Sequence, residues 1–530
     1  MSVQMEQQPV DAPVITVKNP RTGETLYTVP EPTIAEVDAM FETARSAFEV
    51  MRRMTVRQRL DELDKLKRYL IRNREKVATR VMEETGKCRT DAMVMDIFPS
   101  IDIVDFYQKN AEKMLADQKV KTPIMLIGKK SKVVYEPMGV VLVISPWNYP
   151  FNLAFIPAIC ALTAGNPVIL KPSKYTPLRG VIEEMVEESG FMKGAFQVAY
   201  ASRRTAHRLI ESRPAKIHFT GSVDVGRTIM EQAAKYLIPV ELELGGKDPF
   251  IVFDDVNIER TVNGALWGGF ANCGQTCTSV ERIYVQEGIY DEFVWVLKEK
   301  AERIKTLESP GAPFEDRDLG VGCMTTEFQI QEVEQQLAEA REKGAKILCG
   351  GRRNGQSHVF PPTIVTDVDH SMRVQYYETF GPVVTVTKFK TEEEAIKLAN
   401  DSPYGLSASV WSADLERAER VARRIETGNV SINNVMATQG NSGLPFGGLR
   451  DSGFGRYKGA WGLHAFSNIK SILVDKQSAR LESYWYPYSK QKYELLAKVI
   501  DAVFNGGPLG LIKTALLAMK LDALTKKDRL

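Results

Sequence analysis

Two α/β domains, each built on a doubly wound, largely parallel sheet, are what this 530-residue sequence predicts. Three observations carry that prediction. The chain is too long for one hydrophobic core. Short apolar runs alternate with helical patterns of ten to fifteen residues, the signature of βαβ units. Several of those runs end in Gly- or Pro-rich turns that lead directly into the next helix.

Taken in order, Glu36 to Met51 and Arg57 to Arg80 show helical spacing of apolar residues. VVYEPMGVVLVISPWNYP is a β-rich run closed by a turn. Pro167 to Leu170 is a further run, followed by a helix from Leu178 to Ser189. AKIHFTGSVDVGRTIMEQAAKYL repeats strand, glycine turn and helix, and PVELELGGKDPFIVFDD supplies another pair of strands. In the later half, Glu327 to Lys343, Thr391 to Asn400 and Asp414 to Glu426 read as helices, with a short strand from Ala345 to Leu348.

Two β-like segments, Gln118 to Tyr135 and Ala465 to Asp475, stand outside these units and are expected to pair with each other or with a neighbouring subunit. The expected division is 1–117 with 136–244 as a dinucleotide-binding domain and 245–463 as a catalytic domain. Segments 118–135 and 464–485 form a small β element for oligomerisation, and 486–530 an amphipathic helical tail. In the tail, Tyr493, Leu496, Val499, Ile500, Val503 and Phe504 make one stripe; Leu509, Ile512, Ala515, Leu516 and Met519 make another across the Gly506-Gly507-Pro508 break.

Composition narrows the function classes. An apolar fraction of 44% and a charged fraction of 26% are those of an ordinary globular protein. With 69 basic against 67 acidic residues there is no electrostatic case for a nucleic-acid partner. Six cysteines make no disulfide framework and none has zinc-site spacing, so no metal and a reducing, cytoplasmic setting are expected. The N-terminus has no secretory pattern. The most apolar stretch, Val499 to Leu521, carries Asp501, Lys513 and Lys520 and is not expected to span a membrane.

Four motifs could carry chemistry. FANCGQTCTSVER places Cys277 after Gly-Gln-Thr, suited to presenting a thiolate, although free cysteines are commonly core residues. Cys273 is the rival thiol; in a helical segment the two would share a face. ELELGGKDP ends a strand with Glu243 before two glycines, where a carboxylate can act as general base; the ordinary fate of such a glutamate is to face solvent. PWNYP holds Asn148 between prolines, where its amide could donate to an oxyanion or simply make a turn. LKPSKYTP and FTGSVDVG provide a lysine-rich loop and a glycine turn at a helix start, a setting for phosphate.

These motifs in this order, with ETFGP and LPFGGLRDSGFGR, resemble the aldehyde dehydrogenase superfamily from about Asn19 to Asp475. The resemblance implies Cys277 as nucleophile, Glu243 as general base, and Asn148 with the backbone N–H of Cys277 as oxyanion hole. It implies NAD or NADP as cofactor, with Lys171 at the adenosine ribose, Trp147, Gly221, Ser222 and Gly226 lining the site, and Glu378 and Phe380 at the nicotinamide end. Asn433 corresponds to a structural or substrate-facing position. Lys174 departs from the family pattern, which often has glutamate there; an ammonium would attract a 2′-phosphate, so NADP is expected to be accepted.

The implied reaction is oxidation of an aldehyde to the acid through a thiohemiacetal and thioester, in a homodimer or homotetramer. The tail is similar to that of fatty-aldehyde-type members, which favours medium- or long-chain aliphatic substrates. It also raises peripheral membrane contact. A CoA-acylating or reductive relative and a non-catalytic protein of the same fold are the alternatives; Glu243 speaks against the first, Cys277 and Asn148 against the second.

Overall fold

A computed structural model describes residues 14–123, 126, 128–306, 320–476 and 481–527, without the side chains of residues 203 and 204. By contact density the chain divides into two compact units, one of residues 1–117 and 134–470 and another of 118–133 and 471–530.

The first unit holds two parallel sheets. One runs in the order Gly453–Phe454, Val240–Glu243, Lys216–Thr220, Val141–Ile144, Val168–Lys171, Phe196–Val198. All its pairings are parallel except that of the Gly453–Phe454 edge. The strand order reverses beside Val141–Ile144, which makes a crevice at the carboxyl ends of Val141–Ile144 and Lys216–Thr220, the usual place for a ligand in such a sheet.

The other sheet has seven strands: Lys346–Cys349, Thr363–Thr366, Val383–Phe389, Val280–Gln286, Asp248–Val252, Ser407–Trp411 and Asn429–Ile432. Only Lys346–Cys349 is antiparallel to its neighbour. The central strands of both sheets are continuous apolar runs because both faces are buried beneath helices. The chain passes from one sheet to the other through Gly245-Gly246, between Glu243 and Asp248.

Helix starts shift by a few residues from the sequence pattern, and the capping chemistry says why. Thr55 caps the helix Val56–Thr85, which runs five residues past the expected Arg80 to stop at Gly86 with φ 78°. Thr391 and Asp414 are caps of Glu392–Asn400 and Leu415–Ala422 rather than helical residues. The helix expected from Leu178 begins at Val181, since Leu178 and Gly180 both take left-handed conformations.

In the second unit, Gln118–Val120 pairs antiparallel with Lys130–Pro137, with Gln118 opposite Val133. Ser467–Val474 completes a three-stranded sheet, so the two isolated β segments do pair. The tail is a hairpin of helices Lys490–Phe504 and Gly507–Lys527.

The tail's expected stripes are corrected by the packing. Val499, Ala502, Leu517 and Leu521 form the seam, with Leu496 and Val503 half-buried against it. Tyr493, Ile500 and Phe504 of the first stripe face outwards, as does the whole second stripe of Leu509, Ile512, Ala515, Leu516 and Met519. The reason is close backbone approach: a Cβ at Gly510 would lie 2.3 Å from the Ala502 carbonyl oxygen, so the small face packs and the bulky one is left outside. Among the described residues no helix is long and apolar enough to cross a membrane.

Candidate active site

The sequence-predicted residues converge on the carboxyl ends of the first sheet and the opening loops of the second. Trp147 and Asn148 follow the strand ending at Ile144, and Lys171 ends the next strand. Gly221 and Ser222 follow Thr220, and Glu243 ends Val240–Glu243. Cys277 lies just before the strand Val280–Gln286, and Glu378 and Phe380 just before Val383–Phe389.

Cys277 opens onto a cavity of about 250 Å³ lined by mostly apolar side chains, among them Met95, Leu153, Trp267, Val435, Met436 and Phe446. Cys273 does not share its face. Asn272, Cys273 and Gly274 take successive left-handed conformations (φ 52°, 57° and 67°), which turn Cys273 into the apolar core under the second sheet. Two non-glycine residues in that region store strain at this turn. Hydrogen bonds hold it: the Asn272 N–H donates to Asp91 at 3.0 Å, and the Gln275 side chain donates to the Asn272 carbonyl at 2.9 Å.

Asn148 is buried, and its amide donates to the Gln275 carbonyl at 3.0 Å. A carboxamide nitrogen has two hydrogens, so a second donor remains for a ligand oxygen. The Asn148 carbonyl accepts from Lys87 at 2.7 Å and from the Asn272 amide at 3.1 Å. Lys87 is also bonded to Asp96 at 2.7 Å with both side chains buried, and Asp96 accepts the N–H groups of Phe151 and Asn152 at 3.2 and 3.1 Å. Tyr149 meets Thr276 hydroxyl to hydroxyl at 2.5 Å. One buried ion pair therefore fixes the Asn148 turn, and the bonds Asn148 to Gln275, Asn272 to Asn148 and Tyr149 with Thr276 join that turn to the Cys277 turn. No spacing rule picks out Lys87 and Asp96, because their partners lie in a turn 55 to 61 residues downstream.

Glu243 is 3% exposed and neither carboxylate oxygen has a hydrogen-bond partner among the described residues. Burial and the neighbouring Glu241 hold its carboxyl well above the ordinary range, against a smaller opposing pull from Arg456 and Lys458. Burial also pushes the Cys277 thiol up, and Asp248, Glu378 and Glu243 add to it.

Around the crevice, Trp147 meets Phe380 edge-on with centroids 5.4 Å apart and Phe328 at 6.2 Å. Glu378 accepts the Gly246 N–H at 3.0 Å, and burial pushes its carboxyl up to about 8. A Cβ at Gly245 would sit 2.2 Å from that carboxylate, so a larger residue there would displace it. Glu281 orders the same loop: it accepts the N–H groups of Thr379 and Phe380 at 2.8 and 2.9 Å and pairs with buried Lys247. Glu281 lies within FANCGQTCTSVER and Lys247 within ELELGGKDP, but their pairing joins positions too far apart for a local pattern to show.

The helix Val223–Ala234 starts at Ser222 with no side chain capping its first amides. Gly226 serves packing, since a Cβ there would meet Leu244 at 2.8 Å. Lys171 lies half-buried, with its ammonium pulled down to about 8 by burial, and Lys174 is exposed over the Tyr175 ring at 5.1 Å. Uncapped amides, two lysines and a rimmed aromatic crevice fit the phosphates and rings of a dinucleotide. Asn433 is structural: its amide both accepts from and donates to the Ser412 backbone, at 2.9 and 2.8 Å. Its neighbour Asn434 lines the cavity instead.

Residues 7–472 match the Aldehyde dehydrogenase family. The chain is 39% identical over 493 residues to a 4,4′-diapolycopene aldehyde oxidase of Methylomonas, covering 93% of this chain and 91% of that one. It is 36% identical over 464 residues to a probable succinate-semialdehyde dehydrogenase (NADP+) of Sinorhizobium fredii, covering 87% and 92%. Among solved structures, betaine aldehyde dehydrogenase of Staphylococcus aureus in complex with NAD+ superposes with a TM-score of 0.82 at 32% identity, covering 90% of this chain and 95% of that one.

Replacing Lys87 with Met should leave Asp96 as an uncompensated buried charge and cost about 3–5 kcal/mol of unfolding free energy. Denaturant titration of the purified variant measures this; an unchanged midpoint would mean the pair does not hold the turn.

Proposed function

Because the chain belongs to the aldehyde dehydrogenase family, we propose that it oxidises long apolar aldehydes to carboxylic acids, with Cys277 as nucleophile and NAD or NADP as cofactor. The observation that carries the substrate class is the apolar, methionine-containing cavity onto which Cys277 opens. The similarity to a 4,4′-diapolycopene aldehyde oxidase of Methylomonas supports it.

The Cys277 thiolate adds to the aldehyde carbon, and the free amide hydrogen of Asn148 with the Cys277 backbone N–H stabilises the alkoxide. When bound, a nicotinamide would supply the hydride acceptor, and the product held on Cys277 would be a thioester. Trp147, Lys171, Lys174, Gly221, Ser222, Glu378 and Phe380 would hold that cofactor, with Gly226 keeping the helix close beneath it. Glu243 then takes a proton from water, which attacks the thioester and releases the acid. A buried carboxylate without hydrogen bonds is a strong base once ionised, so thioester hydrolysis should rise with pH beyond the ordinary carboxylate range.

Lys174 beside Lys171 favours a 2′-phosphate, supporting acceptance of NADP. The tail hairpin presents an apolar outer face, with Phe504 79% and Leu509 75% exposed, and the exposed lysines Lys498, Lys513 and Lys520 at its margins. Between residues 490 and 527 there are seven lysines against three acidic side chains. That combination supports contact with an anionic membrane surface, where an apolar aldehyde would be concentrated.

Cys277→Ala should abolish turnover while cofactor binding persists, and Cys273→Ala should remain active; the reverse pattern in steady-state assays would overturn the nucleophile. Glu243→Gln should slow product release far more than the NAD(P)H burst, and equal loss in both phases would remove Glu243 from the base role. kcat/KM over C2 to C16 aldehydes should rise with chain length, NADP should be used, and Lys174→Glu should cut kcat/KM for NADP about tenfold while sparing NAD. Ile512→Asp with Leu516→Asp should abolish sedimentation with phosphatidylglycerol vesicles; undiminished sedimentation would locate membrane binding elsewhere.

A further inference from the structure

Lys458 is the one charged side chain lining the Cys277 cavity among the described residues. It is 4% exposed, and among the described residues no carboxylate lies within ion-pair distance of it. Its ammonium donates to the Gln439 carbonyl at 2.6 Å and lies 5.8 Å from the centre of the Phe446 ring and 5.9 Å from that of Tyr457. The backbone is committed to this placement. Lys458 adopts a left-handed φ of 68°, immediately after Tyr457 exchanges both backbone hydrogen bonds with Phe446, at 2.8 and 3.0 Å. A bulky side chain held in that region costs free energy that the surrounding structure must offset.

The groups facing the ammonium come from four elements. Cys160 lies on the helix Asn152–Ala164, Asp102 on Phe98–Met114, Glu243 at the end of its strand, and Cys277 on the turn across the cavity. Asp102 is already engaged by the Ser442 hydroxyl at 2.5 Å, and Arg456 lies on the same loop as Lys458. Cys277 is meanwhile surrounded by Asp248, Glu378 and Glu243, three carboxyl groups that disfavour a thiolate whenever they ionise. Lys458, which lines the same cavity as Cys277, is a buried cation whose charge works the other way.

We propose that Lys458 is a positioning residue whose ammonium favours the Cys277 thiolate and so arms the nucleophile. This rests on the reading of Cys277 as the attacking group. Burial lowers Lys458 itself to about 8, so the assistance should operate below that pH and fade above it. That fading separates an electrostatic role from a structural one.

The test follows alkylation of Cys277 by iodoacetamide against pH, read by mass spectrometry on the full-length protein without substrate. Lys458→Gln keeps a donor for the Gln439 carbonyl and removes the charge; it should slow Cys277 alkylation about tenfold at pH 7, one unit of thiol pKa, with the gap closing above pH 8. Lys458→Arg should retain most of the wild-type rate at pH 7. A rate that falls equally at every pH in Lys458→Gln, or one that does not change, overturns the proposal. Thermal unfolding of each variant guards against misfolding, and wild-type alkylation should itself bend near pH 8; a wild-type profile without that bend overturns the proposal even if no variant folds. Survival of turnover in Cys277→Ala would instead overturn the nucleophile reading, a separate result.

Discussion

The buried pair of Lys87 and Asp96 is the constraint on which the catalytic geometry depends. Two opposite charges removed from water are worth keeping only if each also satisfies hydrogen bonds nearby. Here they do: Lys87 reaches the Asn148 carbonyl, while Asp96 receives the amides that open the helix after it. The Asn148 turn is thus anchored to a helical segment from a distant part of the chain. Asn148 in turn grips the Gln275 carbonyl, two residues before Cys277, so the two turns are fixed relative to each other.

A second constraint is the Gly245-Gly246 link between the sheets. Its lack of side chains lets Glu378 lie against the backbone and lets the Cys277 carbonyl come within 2.5 Å of where a Cβ on Gly246 would stand. Glycine is needed for proximity here, since neither residue takes a positive φ. The close approach concentrates acids: Glu243, Asp248 and Glu378 all surround one sulfur, and all are shifted towards their neutral forms. Carboxyl groups with raised affinity for protons suit a site that must both form a thiolate and later draw a proton from water. Lys458 supplies the positive charge that this cluster otherwise lacks on its cavity side.

The tail illustrates the limits of amphipathic patterning. Either stripe could have been the packed one by hydrophobicity. Gly506 and Gly510 decide the matter, because helices can approach closely only where side chains are absent, and the seam forms along Ala502 and Gly510. Leu509, Ile512, Leu516 and Met519 are left on the outside and form an exposed apolar face.

Local chemistry was legible in the residues themselves. Alternating strands and helices announced two parallel sheets, and Cys277 after Gly-Gln-Thr, Glu243 before two glycines and Asn148 between prolines stood out because turns of that composition can display a side chain in a cleft. Such features depend on neighbours in sequence, so a linear pattern can encode them. What joined them did not: Lys87 with Asp96 and Asn148, Glu281 with Lys247 and the Thr379 amide, and Lys458 facing Cys277 link positions from 9 to 181 residues apart. The choice between Cys277 and Cys273 was also tertiary, since it turned on three successive left-handed residues that aim one thiol into a cavity and the other into the core. Those outcomes come from burial and long-range packing, which set the charge and direction of a side chain only once the distant walls around it are in place.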